Sequence, residues 1–298
     1  MKIKQLNDDC YCFESSVNIG YVHKGEHGMI IDAGIDQSSI RKVVRQLESK
    51  QLPITHLFIT HAHADHYGGA FYLKKHYNIK VIAPKLEAAI VENPIIEPIY
   101  MFQGNAPLDE LRNKFLEGPP VQVDQVVDEG TIEIDRFHLE LILTPGHSYH
   151  QLAVATEGIL YAADSYFGEE ELDKHKIPFI ISAKDTIASL KKLVETNYDG
   201  AIPGHGRFET NYHETLQTNI KYHQKILDNL EKELKNHPEG CSHEEIVAKL
   251  CEMYEIKADQ LSMFLLFRTA VTSYITALIE EGKIKHEVKN YRIVFYPS

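Results

Sequence analysis

The chain has 298 residues, of which 43% are hydrophobic and 25% are charged, and its formal net charge is −12. This composition is typical of a folded globular protein, and the length allows one large domain or a domain of about 200 residues with an appendage. The acidic balance disfavours a general nucleic-acid binder, because phosphate recognition usually needs a basic surface. Residues 1–211 hold 20 basic and 30 acidic side chains, whereas residues 212–298 hold 11 and 13.

The N-terminal residues do not resemble a signal peptide, because no apolar stretch follows them. No segment is apolar and uncharged over the roughly 18 residues that a membrane span needs. Four cysteines form no Cys-x-x-Cys pair. We therefore expect a cytoplasmic protein without a membrane partner, in which Cys10 and Cys12 are buried thiols on one face of a strand.

The predicted elements of residues 1–211 alternate between strands and helices. Short strands are expected within residues 2–32, an amphipathic helix at 38–50 and a buried strand at 54–59. Strands resume at residue 131, and a helix at 185–195 leads to a last strand at 200–202. This repeated order predicts an α/β fold of two packed sheets with helices outside.

Residues 93–120 interrupt this order with five prolines. We predict an insertion over the surface, either a lid or an ordinary connecting loop, with one short helical stretch around residues 108–115.

Residues 212–298 are predicted to form a mainly helical, winged-helix-like module. A stripe of residues spaced three and four apart must pack on another surface, and it includes His223 as a packing histidine. Further helices are expected at 243–252 and 259–281, followed by a strand pair. The last helix has apolar residues on more than one face and only one cation, Arg268, between residues 261 and 279. It favours docking on the main domain or in a homodimer over DNA readout.

The segment 60–69 contains three histidines and an aspartate within six residues, directly after a predicted strand. His61 and His63 can turn toward one point, while Asp65 and His66 can face a neighbouring point. Imidazole nitrogens and carboxylate oxygens are the usual donors for zinc, at about 2.0–2.2 Å. The spacing therefore indicates two metal sites, each of which lacks further ligands.

Three later residues each follow a predicted strand and can supply those ligands: His147, Asp164 and His205. A Pro-Gly pair precedes each of the two histidines and predicts a tight turn that projects the side chain. The other histidines lack partners at ligand spacing. We interpret them as surface or structural residues: His23, His27, His56, His76, His138, His175, His213, His237, His243 and His286.

This pattern resembles the metallo-β-lactamase-fold superfamily and its His-x-His-x-Asp-His motif with a later His, Asp and His. The resemblance implies a four-layer αββα sandwich over residues 1–211. It implies a first metal held by His61, His63 and His147. It implies a second metal held by Asp65, His66 and His205, with Asp164 as the bridge between the two ions. Asp32 would support the metal loop without being a ligand.

The resemblance also implies a metal-dependent hydrolase with two zinc ions, which uses a metal-bridging hydroxide to cleave a small ester, thioester or lactone. Asp65 is a metal ligand and a candidate proton shuttle. Tyr166 is either a hydrogen-bond donor to the developing oxyanion, as in related lactonases, or a wall residue. Asp164 stands where common β-lactamases have a cysteine, so antibiotic hydrolysis is disfavoured.

Two alternatives remain open at this point. The C-terminal module resembles, by architecture alone, the lactamase-β-like protein 2 group, whose eukaryotic relatives include a single-strand endoribonuclease. The ligand set also admits an iron-dependent enzyme like the persulfide dioxygenases, with Fe or Mn in place of zinc. We expect a small-molecule substrate rather than nucleic acid, and a scaffold without activity is the least favoured hypothesis.

Overall fold

Seven strands form the first β-sheet in a computed structural model that describes residues 1–298. In order across the sheet, β1 to β7 are Lys2–Gln5, Cys10–Glu14, Ile19–Lys24, His27–Ile31, His56–Phe58, Lys80–Pro84 and Gln125–Val127. Neighbours are antiparallel from β1 to β4 and parallel from β4 to β7.

Five further strands form the second sheet. They are β8 to β12, with the bounds Gly130–Ile134, Phe137–Leu143, Leu152–Thr156, Ile159–Ala163 and Gly200–Pro203. The order across the sheet is β12-β11-β10-β9-β8, and only β11 and β12 are parallel.

The helices α1 to α7 connect these strands. Their bounds are Gln37–Ser49, Ala64–Tyr67, Ala70–His76, Lys85–Glu92, Ile96–Met101, Glu169–His175 and Ala183–Val194. The last three helices, α8 to α10, lie in the C-terminal part at Tyr212–Lys235, His243–Met253 and Leu261–Glu280. These bounds differ by at most two residues at either end from those predicted for α1, α7, α9 and α10.

Side-chain alternation along the strands fixes the layers. On β2, Cys10 and Cys12 face the core between the two sheets, whereas Phe13 faces the helical layer over the first sheet. Helices α1 and α3 cover that outer face, and α7 with the start of α8 covers the outer face of the second sheet. The predicted αββα sandwich and the buried thiols are confirmed.

The insertion at residues 93–120 differs from its prediction. Its helix is α5, and the stretch predicted as helical at 108–115 contains only a 3-10 turn at Asp109–Leu111. The side chain of Asn113 accepts from the backbone N–H of Phe115 and donates to the Glu110 carbonyl. Such local side-chain bonds compete with helix formation. The insertion packs through Met101, Leu111 and Leu116 against α10, so it lies beside the C-terminal part.

The C-terminal part contains α8 to α10 and a small sheet of the strands β13 to β15, Cys241–Ser242, Ile284–Lys289 and Arg292–Pro297, in the order β13-β15-β14. The first half of α8 packs on the second sheet, while its second half enters the separate core of this part. The predicted division at 211/212 therefore falls at the start of a helix that serves both cores. The domain boundary and the winged-helix likeness stay predictions.

His223 on α8 is buried, and its Nδ1 lies 2.8 Å from the hydroxyl of Tyr274 on α10. This is the packing role that the sequence pattern predicts.

Helix α10 is long and apolar enough to cross a bilayer by length and composition, with a mean hydropathy of 1.5 in its most apolar window. Arg268 lies within this helix, so α10 is not the uncharged apolar segment that the sequence criterion for a span requires. Val271, Tyr274 and Leu278 on α10 are buried in the core of the C-terminal part, which is how core helices of globular proteins also pass this test. A homodimer and a cytoplasmic location remain predictions.

Candidate active site

Asp32 anchors the loop that follows β5. Its Oδ1 accepts the backbone N–H of Thr60 at 2.9 Å, and its Oδ2 accepts the Thr60 hydroxyl at 2.9 Å. Oδ2 also accepts the Nδ1–H of His66 at 2.8 Å. These bonds fix the loop. Because Nδ1 of His66 carries the proton, its Nε2 has a free lone pair that faces the centre and can bind a metal. Asp32 thus has the supporting contacts that the family resemblance implies.

The seven predicted ligands lie together at one edge of the sandwich. Three overlapping groups each have donor atoms within 4.8 Å of one another: His61, His63 and His147; His61, His66 and Asp164; Asp65, His66 and His205. The carboxylate of Asp164 lies between the outer groups. Its oxygens are 3.3 Å from Nε2 of His66, 3.2 Å from Nε2 of His147 and 3.4 Å from Nε2 of His205.

Hydrogen bonds on the outer side of three histidines orient their rings. The Nδ1–H of His147 donates to the carbonyl of Phe179 at 2.9 Å, and that of His205 donates to the carbonyl of Ser16 at 2.8 Å. Nδ1 of His61 lies 3.1 Å from the Thr60 hydroxyl. In each ring the other nitrogen is therefore the one presented to the centre, as in histidines that ligate metals.

The residues present fit a metal centre. Nε2 of His61, Nε2 of His66 and Oδ1 of Asp164 are buried and have no hydrogen-bond partner in the protein. Leaving such an atom unpaired costs about 1–3 kcal/mol, and a bound cation would remove that cost. Imidazoles with carboxylates are a donor set typical of zinc. The identity and number of the ions belong to the proposal below.

The electrostatics differ between the two halves of the centre. Burial lowers the pKa of His63 to about 4 and that of His147 to about 3, so these rings are neutral, the form that binds metal. Burial also lowers the pKa of His205, but Asp164 and Asp65 outweigh it and raise that pKa to about 10. The part of the centre around Asp65, Asp164 and His205 therefore stabilises a positive charge, either on His205 or on a bound cation.

Glu87 on α4 joins two loops of the centre, and no sequence pattern pointed to it. Its Oε2 accepts the backbone N–H of Ala62 at 2.8 Å, while its Oε1 accepts the Ser148 hydroxyl at 2.8 Å and the His150 N–H at 3.0 Å. Ala62 lies between His61 and His63, and Ser148 follows His147. No spacing in the sequence relates residue 87 to either loop, so only the fold identifies this contact.

A second missed group lines the edge of the centre. The ring of Phe179 packs edge-on against His63 and His147, with centroids 5.4 and 5.7 Å apart. The ring of His175, at the end of α6, lies 6.3 Å from that of His205. His175 was interpreted as a surface or structural residue, and that interpretation misses its place beside the ligands.

The insertion brings a buried carboxyl group toward Asp65. Glu97 on α5 is 3% exposed, and its Oε2 has no partner. Burial, with the nearby charges of Asp65 and Glu87, raises the pKa of Glu97 well above its usual range. The hydroxyl of Tyr67 accepts the backbone N–H of Gly118 at 2.9 Å and ties the end of the insertion to α2. Whether the insertion acts as a lid stays a prediction.

Tyr166 does not lie among the ligands. Its ring packs in the apolar cluster between the second sheet and helices α7 and α8, with Leu190 and Tyr212. Its hydroxyl is buried without a partner. The structure therefore does not support the predicted oxyanion role, because residue 166 faces the core behind the sheet. Side chains alternate between the two faces of a strand, but β11 ends at Ala163. The direction of the Tyr166 side chain therefore cannot be predicted from that of Asp164 by strand alternation.

The αββα sandwich with this cluster of metal-type side chains at its edge is the arrangement that the family resemblance implies. The sequence model of the metallo-beta-lactamase superfamily matches residues 13–205. The chain belongs to the metallo-beta-lactamase superfamily.

Curated relatives resemble this chain at low identity. A lactamase-like protein of Pestalotiopsis microspora is 23% identical over 220 residues, which cover 72% of this chain and 58% of that protein. A probable metallo-hydrolase of Methanocaldococcus jannaschii is 25% identical over 62% of this chain and 86% of its own length. A hydroxyacylglutathione hydrolase of Rhodopseudomonas palustris is 26% identical over 50% of this chain and 48% of its own. The chain thus spans little more than half of the fungal relative.

Two solved structures share the fold along nearly the whole chain. A metallo-beta-lactamase family protein from Thermus thermophilus superposes with a TM-score of 0.74 at 17% identity, over 99% of this chain and 100% of that one. A beta-lactamase domain protein from Burkholderia ambifaria gives 0.71 at 16% identity, over 99% and 93%. At these identities the likeness shows the fold alone.

Proposed function

We propose that this protein is a binuclear zinc hydrolase that cleaves a small ester, thioester or lactone. The observation that supports two ions most directly is the position of Asp164 between the two outer groups of donors. His61, His63 and His147 would hold one ion, Asp65, His66 and His205 the other, and Asp164 would contact both. When bound, two such ions make water nucleophilic at neutral pH and polarise the attacked oxygen.

Asp65 is the proposed proton carrier. Its Oδ2 lies 3.4 Å from Nε2 of His205, and its side chain is 29% exposed, more than any other carboxylate of the centre. A carboxylate in this position can take the proton of the attacking water and deliver it to the leaving group. The side chain of His175 is 42% exposed and its ring lies 6.3 Å from that of His205, so we propose that it contacts the substrate.

The surroundings favour an uncharged substrate over a polyanion. The first turn of α6, beside the centre, contains Glu169, Glu170 and Glu171. Arg207, two residues after His205, has its charge opposed by Glu170 at 3.2 Å. Negative potential at the rim repels phosphodiesters. The rings of Phe167 and Phe179 lie 5.9 and 5.7 Å from that of His147 and offer an apolar wall to an acyl group. The similarity to hydroxyacylglutathione hydrolases supports a thioester within this class.

The test is turnover by the zinc-loaded protein. We expect it to hydrolyse members of a panel of acyl thioesters and lactones that vary in acyl length, followed by thiol or acid release. Asp65→Asn should lower turnover by about 10²–10⁴-fold, while Asp259→Asn, which changes an exposed aspartate in the loop before α10, should retain it. Cleavage of a fluorescent single-stranded RNA at low salt, with no turnover anywhere in the panel, would overturn the proposal in favour of a nuclease.

A further inference from the structure

A second cluster of metal-type side chains lies at the opposite end of the sandwich from the candidate active site. One donor atom each of His27, His56 and Asp135 lies within 4.8 Å of the other two. His27 begins β4 and His56 begins β5, whereas the active-site loop follows the far end of β5. Asp135 is in the turn between β8 and β9 of the second sheet. The cluster therefore joins the two sheets.

The fold brings these residues together by strand alternation. His27 shares the inner face of β4 with Met29 and Ile31, and His56 shares the inner face of β5 with Phe58. The ring of buried Phe137 packs edge-on against both imidazoles, with centroids 6.4 and 5.3 Å away. Both rings thus lie between the two sheets, next to the turn that joins β8 and β9.

His56 directs its two ring nitrogens to different partners. Its Nε2 is 2.7 Å from Oδ2 of Asp135, and its Nδ1 is 2.8 Å from the hydroxyl of Thr55. The Thr55 hydroxyl is also 3.1 Å from the carbonyl of Gly28 and accepts the Gly28 N–H at 3.0 Å. If the Thr55 hydroxyl donates to that carbonyl, it accepts the Nδ1–H of His56. Nε2 of His56 then has a free lone pair that can bind a metal. This is the outer hydrogen bond that orients a metal-ligating histidine.

His27 gives a second, independent indication of a ligand. Its Nδ1 is buried and has no hydrogen-bond partner in the protein. An unpaired buried polar atom costs about 1–3 kcal/mol, and a cation bound at the cluster would remove that cost. Two imidazoles and one carboxylate are a zinc-type donor set.

We propose that His27, His56 and Asp135 bind a zinc ion that links the first sheet to the second, separately from the active site. The side chain of Asp135 is 49% exposed, so solvent reaches the cluster and can complete the coordination. Lys80, which pairs with His56 across β5 and β6, is the neighbouring charge that opposes a cation. The ion contributes stability rather than chemistry, because the cluster is at the end of β5 remote from the active-site loop.

The test compares zinc content and thermal stability in the full chain. His27→Gln and Asp135→Asn should each retain one zinc ion per chain fewer than the wild type after dialysis at equal free zinc. The melting temperature of the wild type should rise more with added zinc than that of either variant. His138→Gln is the matched control, since His138 is an exposed residue three positions after Asp135, and it should behave as the wild type does.

Turnover by the active site should be the same in all four proteins, which checks that each variant folds. Lys80→Gln should tighten zinc binding at the cluster, because it removes the opposing charge. Equal zinc content in the wild type, His27→Gln and Asp135→Asn, with equal shifts in melting temperature, would overturn the proposal.

Discussion

Glu87 and Ala62 are joined by a 2.8 Å hydrogen bond from the backbone N–H of Ala62 to the carboxylate, at the residue between two metal-type histidines. The same carboxylate holds Ser148 beside His147. The position of the His61, His63 and His147 group therefore depends on a side chain that contributes no ligand.

Glu87→Ala should weaken metal binding at that group by about 10–100-fold, the range found when the outer partners of metal ligands are removed. The reason is that two ligand loops lose their common anchor. Competition with a chromogenic chelator measures the affinity. Glu92→Ala, on the same helix but exposed, should bind metal as the wild type does. Equal affinities in Glu87→Ala and wild type would show that the loops hold their geometry without Glu87.

Asp65→Asn should lower kcat by about 10²–10⁴-fold, because the amide cannot carry the proton that Asp65 is proposed to move. The His61, His63 and His147 group does not include residue 65, so metal bound there should be retained. Steady-state kinetics on a thioester substrate, with metal content measured on the same sample, separates the two effects. A kcat within about threefold of the wild type would remove Asp65 from the mechanism.

Tyr166→Phe should leave kcat unchanged and raise the free energy of unfolding by about 1 kcal/mol. The hydroxyl of Tyr166 is buried without a partner, so removing it takes away an unpaired polar group and leaves the ring packing intact. Thermal unfolding and turnover on one preparation check both outcomes. A large fall in kcat would restore the oxyanion role that the sequence resemblance implies.

His223 makes stability depend on pH. Burial lowers the pKa of His223 from its ordinary value of 6.5 to about 4. Between these values the unfolded chain binds a proton at this residue and the folded chain does not, so stability falls as the pH drops from 6.5 to about 4. The contribution is on the order of 3 kcal/mol, because each tenfold difference in proton affinity between the two states corresponds to about 1.4 kcal/mol.

Denaturant unfolding at a series of pH values measures this dependence, with His223→Gln as the comparison. The glutamine can still bond the Tyr274 hydroxyl but does not titrate, so its stability should change less across the window. His286→Gln, an exposed histidine in β14, is the control and should follow the wild type. If the free energy of unfolding changed equally with pH in the wild type and in His223→Gln, His223 would not be the source of the pH dependence.

The sequence predicts the sandwich and the cluster of metal-type side chains because both leave local signals. Strand alternation in β2 and the spacing in His61, His63, Asp65 and His66 can be recognised in short windows, and the two Pro-Gly turns point to His147 and His205. The strands β1 to β4 lie within the residues 2–32 where the sequence predicts short strands.

Residues that act across the fold left no such signal. Glu87, His175 and Glu97 reach the centre from helices whose positions depend on how α4, α5 and α6 pack. The sequence spacing of His27 and His56 predicts only surface or structural residues for the same reason, since residue 135 joins them only when the two sheets meet. The predicted helix at 108–115 failed because side-chain bonds of Asn113 outcompete helical ones.

The central claim is a two-ion hydrolytic centre, and the most direct test is the metal content of the purified His27→Gln variant. That substitution removes the second cluster and leaves every proposed ligand of the centre in place. Elemental analysis should find two zinc ions per chain, and the same sample should hydrolyse a thioester or lactone. A single ion per chain, or iron as the bound metal, would contradict the account.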